Sequence, residues 1–339
     1  MRFSLLCTML FGVIGSQVSA ADTLPLPHGN PIKVAFVISP GATVIDFAGP
    51  WEVFQDVMLD AHGNMVQPFD LYTVAPSKDP VHTSGGGNGH QGLNITPDYT
   101  FADAPEPDVV VIGAQSGGPG LSAWLQKLHA YHKVMLSVCT GAFKLAQAGL
   151  LDGKPATTHH WYYDKFSSSF PDVKLQRSVR YVQADPLTLT AGGLTSGVDL
   201  ALHVVAQFYG DDVAQRTADY MEYQSTGWKT NVGIDAAKIP VWRQEWAGEI
   251  APGVRLLVHV ATRGVETTVT ADIPARKLSA VPVTLQGDGD KVEFALAIDG
   301  HPGNFSGRPN ASHDTITGTY TQDGRSSPLT LTQQPDAKE

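Results

Sequence analysis

Ser137-Val138-Cys139-Thr140-Gly141-Ala142 is the stretch that decides how this chain folds. The apolar run Val134-Met135-Leu136 leads into it, and a helical pattern from Gly141 to Leu151 leads out. A strand that passes at once into a helix must bend sharply at the joining residue, and the bend lifts that side chain clear of the sheet. The first free N–H groups of the helix point at the same spot, so a cysteine there is expected to have a depressed thiol pKa. Gly141 is the small neighbour that lets the turn close. Cys139 is therefore the expected nucleophile, against the alternative of a buried, inert thiol.

The cysteine count sharpens this expectation, because the chain has only Cys7 and Cys139. Met1 to Ala20 reads as a secretory signal: Arg2 gives the positive start, Leu5 to Ile14 the apolar run, and Val18-Ser19-Ala20 a small-residue cleavage site. The run is too short and too early for a spanning helix. Its removal takes Cys7 away and leaves a single thiol, which is a liability in an oxidising compartment unless it is used. The expectation is a soluble, exported, periplasmic protein that has no membrane partner once the signal is gone. The 339 residues suit one large or two medium domains, and 42% hydrophobic with 17% charged residues is a globular composition. Net charge is −10, or −11 without Arg2, and no lysine or arginine cluster is present to neutralise phosphates, which argues against a nucleic-acid partner.

The pattern changes near residue 230. Between residues 31 and 225, apolar runs alternate with helical stretches: Val34 to Ile38, a helix opened by Gly49-Pro50, Leu71 to Val74, Val109 to Ile112, an amphipathic helix over Leu121 to Tyr131, the Cys139 strand and helix, and a helix over Ser196 to Phe208. Strands alternating with helices predict an α/β domain with a mainly parallel sheet covered on both faces, and its site lies beyond the carboxyl ends of the strands. Asp46, Gly113 and Cys139 each follow a predicted strand at that end. A linker is predicted over 226–239. Short runs that alternate in polarity, punctuated by Gly, Asp and Asn, fill 240–335 and predict an antiparallel β domain, either sandwich or small barrel.

Several residues can carry chemistry. Asp46, in Val44-Ile45-Asp46-Phe47, is a carboxylate among apolar neighbours; it suits proton transfer beside a thiol, and equally an N-cap or turn. Glu52 is a weaker candidate, or simply a first-turn acid. Thr140 can bond an intermediate, its N–H joining that of Gly113 or Ala114 in an anion hole, or it can simply end a strand. Adjacent His159 and His160 rarely share one ion because neighbouring side chains diverge, so no metal and no cofactor is expected, and one histidine lines the pocket. Ser84 to Gly89 does not join a strand to a helix and reads as a loop, whereas Gln115-Ser116-Gly117-Gly118 is better placed to border a pocket. Asn94, Asn304 and Asn310 fit the glycan acceptor pattern, which is common by chance.

Asp46 to Phe54, Pro107 to Gly113, Ser137 to Lys154, Ala156 to His159 and Gly193 to Ala201 together resemble the DJ-1/PfpI superfamily, the class I glutamine amidotransferase-like fold, over residues 31–225. The chain is most similar there to the isonitrile hydratase branch and to the N-terminal domains of AraC-type regulators. The resemblance implies a flavodoxin-like sheet and a homodimer. It also implies a lyase in which Cys139 attacks the terminal carbon of an isonitrile to form a thioimidate, Asp46 handles the proton and Thr140 assists, releasing an N-substituted formamide. Val111-Ile112-Gly113-Ala114 stands where the family usually has Pro-Gly-Gly, and Thr140 stands where the protease-like branch has histidine. Glyoxalase- or amidase-like chemistry on the same cysteine, or a ligand- or redox-sensing role, are the competing readings. Nothing after Tyr223 reads as a pair of helix-turn-helix units. The segment from Ile316 to Leu331 resembles a small β domain of some secreted serine hydrolases.

Overall fold

The computed structural model describes residues 24–27, 31–84, 92–235, 239–286 and 291–335. The expected signal segment with Cys7, and Gly85 to Gly89, lie outside the described residues. The chain divides into two compact units, one drawn from Met1–His159 and Phe170–Gly233, the other from His160–Ser169 and Ile234–Glu339.

The first unit is built on a seven-stranded sheet. Its strands are β1 (Ile32–Val37), β2 (Phe69–Ala75), β3 (Tyr99–Thr100), β4 (Val109–Ile112), β5 (Val134–Ser137), β6 (Tyr181–Asp185) and β7 (Thr188–Ala191), in the order β6-β7-β5-β4-β1-β2-β3. Every pair is parallel except β6–β7 at one edge. The central runs are apolar at every position because both faces are covered. Val34, Phe36, Val109, Val111 and Leu136 pack with Val53 and Phe54 of helix α1 (Val44–Gln55) and with Val198, Leu202 and Val205 of a later helix, α4 (Ser196–Tyr209). Helix α2 (Leu121–Ala130) and helix α3 (Gly141–Gln147) pack on one another, and α3 also packs on β4 and β5.

Three expectations need correction. Helix α1 begins at Val44, not at Gly49: its first turn buries Asp46 and packs Phe47 against the core of the sheet, and Pro50 sits inside it. Proline lacks an N–H, so the Asp46 carbonyl loses its helical donor at this mid-helix position. Asp46 is thus a first-turn residue and not a cap. Glu52 is exposed and its carboxylate accepts the Gln55 side-chain amide at 3.3 Å, so it is an ordinary surface acid. The stretch 226–239 is not wholly a linker. Its first part is a short helix (Gly227–Thr230) whose Trp228 is buried in the core of the first unit, because an indole of that size is costly to leave in water.

The second unit is a nine-stranded antiparallel sheet. Its strands are β8 (Val241–Ala251), β9 (Val254–Arg263), β10 (Glu266–Ile273), β11 (Leu278–Pro282), β12 (Thr284–Gln286), β13 (Val292–Ile298), β14 (His301–Pro309), β15 (Thr315–Gln322) and β16 (Arg325–Gln333). Each strand pairs with its sequence neighbours except at β11–β12, and β16 returns to pair with β8. The one seam lies between β11 and β12, which a single residue, Val283, joins. The sheet thus curls into an up-and-down barrel whose two end strands, β11 and β12, are joined in sequence at Val283 and not paired with one another, in place of the sandwich alternative. Alternate residues fill it: Leu256, Val258, Ala271, Ile273, Phe294, Leu296, Phe305, Tyr320 and Leu329 form one buried cluster, with Phe294 and Phe305 stacked at 4.8 Å. Gly303 is required because a Cβ there would lie 2.0 Å from the Tyr320 hydroxyl.

Candidate active site

Cys139 stands at the junction of β5 and α3 with φ +59°, a left-handed conformation that a non-glycine residue adopts only where its surroundings enforce it. Three hydrogen bonds do so. The Cys139 N–H donates to the Gly192 carbonyl at 2.8 Å, the Val138 N–H to the Ile112 carbonyl at 3.0 Å, and the Thr158 hydroxyl to the Cys139 carbonyl at 2.8 Å. Gly141 is obligatory, since a Cβ there would lie 2.1 Å from the Ile112 carbonyl oxygen.

Asp46 and Cys139 come together at the carboxyl edge of the sheet. The Asp46 carboxyl is fully buried, and Gly113 lets it approach: a Cβ on Gly113 would fall 2.6 Å from the Asp46 Cβ. Oδ2 accepts the Ala114 N–H at 2.9 Å, while Oδ1 is buried and accepts no N–H or O–H. Burial raises the Asp46 pKa to about 6, against the lowering pull of the Ala114 N–H and of the Cys139 thiol beside it. The thiol behaves oppositely to the sequence-based expectation. Burial, and then the charge of Asp46, push Cys139 up to about 12, although the N–H groups of Thr140 and Leu194 both pull it down. The helix terminus is present as expected, but a short helix end does not outweigh desolvation next to a carboxylate. At neutral pH the resting pair is a carboxylate and a thiol, with a proton to be passed from sulfur to oxygen.

Thr140 occupies the N-cap of α3 and directs its N–H at the sulfur. Ala114 is placed at the site, yet its N–H is spent on Asp46 and is not free for an anion hole. The second N–H comes from Leu194, which sequence reasoning missed. Leu194 is also left-handed, with φ +52°. The turn carrying it is pinned by Arg180, whose guanidinium bonds the buried Asp199 carboxylate at 2.6 Å and the Thr195 hydroxyl at 3.1 Å. The run Gly192-Gly193-Leu194 was the available signal. A Cβ on Gly193 would lie 2.1 Å from His159 Cδ2, so the His159 ring rests on the Gly193–Leu194 turn and borders the site. His160 opens a separate 3-10 turn, His160–Tyr162, in the second unit. No group of three or more His, Cys, Asp or Glu side chains is placed to hold a metal among the described residues.

The sequence pattern of the DJ-1/PfpI family matches residues 32–207, which contain both members of this pair. The chain belongs to the DJ-1/PfpI family. Within that family it is 31% identical over 198 residues to the isonitrile hydratase of Pseudomonas putida, a match covering 57% of this chain and 78% of that protein. It is 26% identical over 215 residues to the HTH-type transcriptional regulator GbdR of Pseudomonas aeruginosa, covering 60% of this chain and only 54% of the regulator. A THiJ/PfpI family protein from Pseudomonas syringae aligns at 27% identity with a TM-score of 0.45, covering 64% of this chain and 83% of that one.

Proposed function

We propose that the first unit is a cysteine-dependent hydro-lyase that hydrates an isonitrile to an N-substituted formamide. The observation that carries this reading is the fully buried Asp46 carboxyl, with one oxygen on the Ala114 N–H, placed beside the Cys139 thiol. Cys139 Sγ attacks the terminal isonitrile carbon while its proton passes to Asp46. Asp46 returns that proton to the carbon, giving a thioimidate. Water then adds to the same carbon, the nitrogen takes a proton, and the carbon–sulfur bond breaks to release the formamide and restore the thiol. The N–H groups of Thr140 and Leu194 stabilise sulfur whenever it carries charge. Threonine after the cysteine, where peptidase-like relatives carry histidine, favours a carboxylate as the proton carrier. The similarity to the isonitrile hydratase supports the same reading. Export to the periplasm and assembly as a homodimer are part of the proposal, the first from the character of residues 1–20 and the second from the family.

The test is turnover of an alkyl isonitrile by purified protein, followed as formamide appearance, with methylglyoxal and simple amides as comparators. Formamide formation that is abolished in Cys139→Ala is expected. Turnover of methylglyoxal or an amide alone moves the assignment to another reaction of the same cysteine. Saturable isonitrile binding with no product moves it to ligand sensing.

A further inference from the structure

Among the described residues, four buried side-chain polar atoms have no hydrogen-bond partner: Asp46 Oδ1, Gln115 Oε1, Ser137 Oγ and Thr157 Oγ1. Asp46 has a role above. Ser137 and Thr157 have none, and both are fully buried. The strand pairing brings them to one place. Ser137 and Thr190 are register partners in the parallel pair β5–β7, so their side chains leave the sheet on the same face. Thr188, two residues earlier on β7 and on that same face, meets His129 Nε2 of α2 at 3.3 Å, which places the face under the α2 side of the sheet. Thr190 Oγ1 accepts the Thr157 N–H at 2.8 Å. The two residues whose hydroxyls lack partners are thus both neighbours of Thr190, one through the strand register and one through its backbone N–H.

Buried hydroxyls in folded proteins are satisfied by protein or by ordered water, and an internal water typically makes about three hydrogen bonds. We propose that Ser137, Thr157 and Thr190 form a binding site for one internal water behind the elbow, and that this water helps hold Cys139 in its left-handed conformation. The connectivity favours this role. Ser137 lies two residues before Cys139 on the incoming strand. Thr157 precedes Thr158, whose hydroxyl grips the Cys139 carbonyl. A water between Ser137 and Thr157 ties the strand to the segment that restrains the elbow, closing a loop of bonds around a strained residue.

The site can be tested whether or not isonitriles are the substrate. A crystal structure of the full chain at atomic resolution is expected to show an ordered water within about 3.2 Å of both Ser137 Oγ and Thr157 Oγ1. Both hydroxyls bonded to backbone carbonyls with no water between them overturns the proposal. In solution, Ser137→Ala, Thr157→Val and the double variant form a cycle in thermal midpoint. A double variant less destabilised than the two single shifts combined is expected, since either change removes the same water; additive shifts count against it. The positioning role has its own readout, the pH profile of Cys139 alkylation. Ser137→Ala, the least disruptive change, should slow labelling severalfold or displace the midpoint. A lowered thermal midpoint with an unchanged labelling profile overturns the link to the elbow.

Discussion

At the scale of single residues, the site is a contest between burial and fixed dipoles, and Asp46 decides the outcome. Its charge is the second-largest cause holding the Cys139 thiol near 12, after burial itself. Asp46→Asn is therefore expected to do two opposite things. The midpoint of Cys139 alkylation by iodoacetamide should move to lower pH because the repelling charge is gone, while turnover falls by about a hundredfold or more because the proton carrier is gone. An alkylation midpoint unchanged or higher in the variant would contradict the electrostatic account. Stability gives a second check. Burial raises the Asp46 pKa from 3.8 to about 6, so the folded state prefers the protonated acid. That preference is fully satisfied below about pH 3.8 and is lost as pH rises through about 6. Asp46→Asn, which cannot ionise, should match the parent near pH 3.5 and exceed it above pH 6. The gain should reach about 3 kcal/mol at most, from about two pKa units. Parallel stability curves across that range would refute it.

At the scale of elements, the elbow is where backbone and sequence constrain each other most tightly. Gly141→Ala would drive a methyl into the Ile112 carbonyl, which neither strand can yield without breaking β4–β5 pairing. Loss of about 3 kcal/mol or more, or failure to fold, is expected in chemical denaturation; a near-neutral result would mean that the elbow is not as tight as described. Thr158→Val removes the hydroxyl that holds the Cys139 carbonyl and should cost about 1–3 kcal/mol while slowing thiol labelling. Much of this level was legible beforehand. Val109 to Ile112 and Val134 to Leu136 are unbroken apolar runs of strand length, and the Cys139 bend follows from a strand abutting a helix. The start of α1 was not legible, because Pro50 mimics a helix opening and the real start depends on Asp46 and Phe47 being covered by a sheet built from distant strands. The Leu194 N–H was hidden for a similar reason. A backbone donor has no residue signature, and the turn that carries it is held in part by the Arg180–Asp199 pair, formed across 19 positions. The thiol pKa was misjudged because burial beside a carboxylate is a tertiary fact.

At the scale of the whole molecule, the two units have separate cores, one organised around a mainly parallel sheet and one inside the curled antiparallel sheet. Residues 240–335 expressed alone should give a β-type circular dichroism spectrum and one cooperative thermal transition, since every strand finds its partner within that range. A fragment that stays unstructured would show that the barrel depends on the rest of the chain. The alternating pattern announced this domain, but not its closure, which rests on the pairing of Trp246 with Gln333 and Ala247 with Thr332 between strands at opposite ends of the unit. That closure has a mechanical consequence. Because β8 and β16 run antiparallel and the Gln334 N–H bonds the Glu245 carbonyl at 2.8 Å, the chain enters and leaves the barrel at the same end of this one pair. Tension applied through those two points would load its hydrogen bonds one after another, as a zipper is opened, and not all together in shear. The domain should therefore come apart under a small pulling force, and it should do so first along the β8–β16 pair.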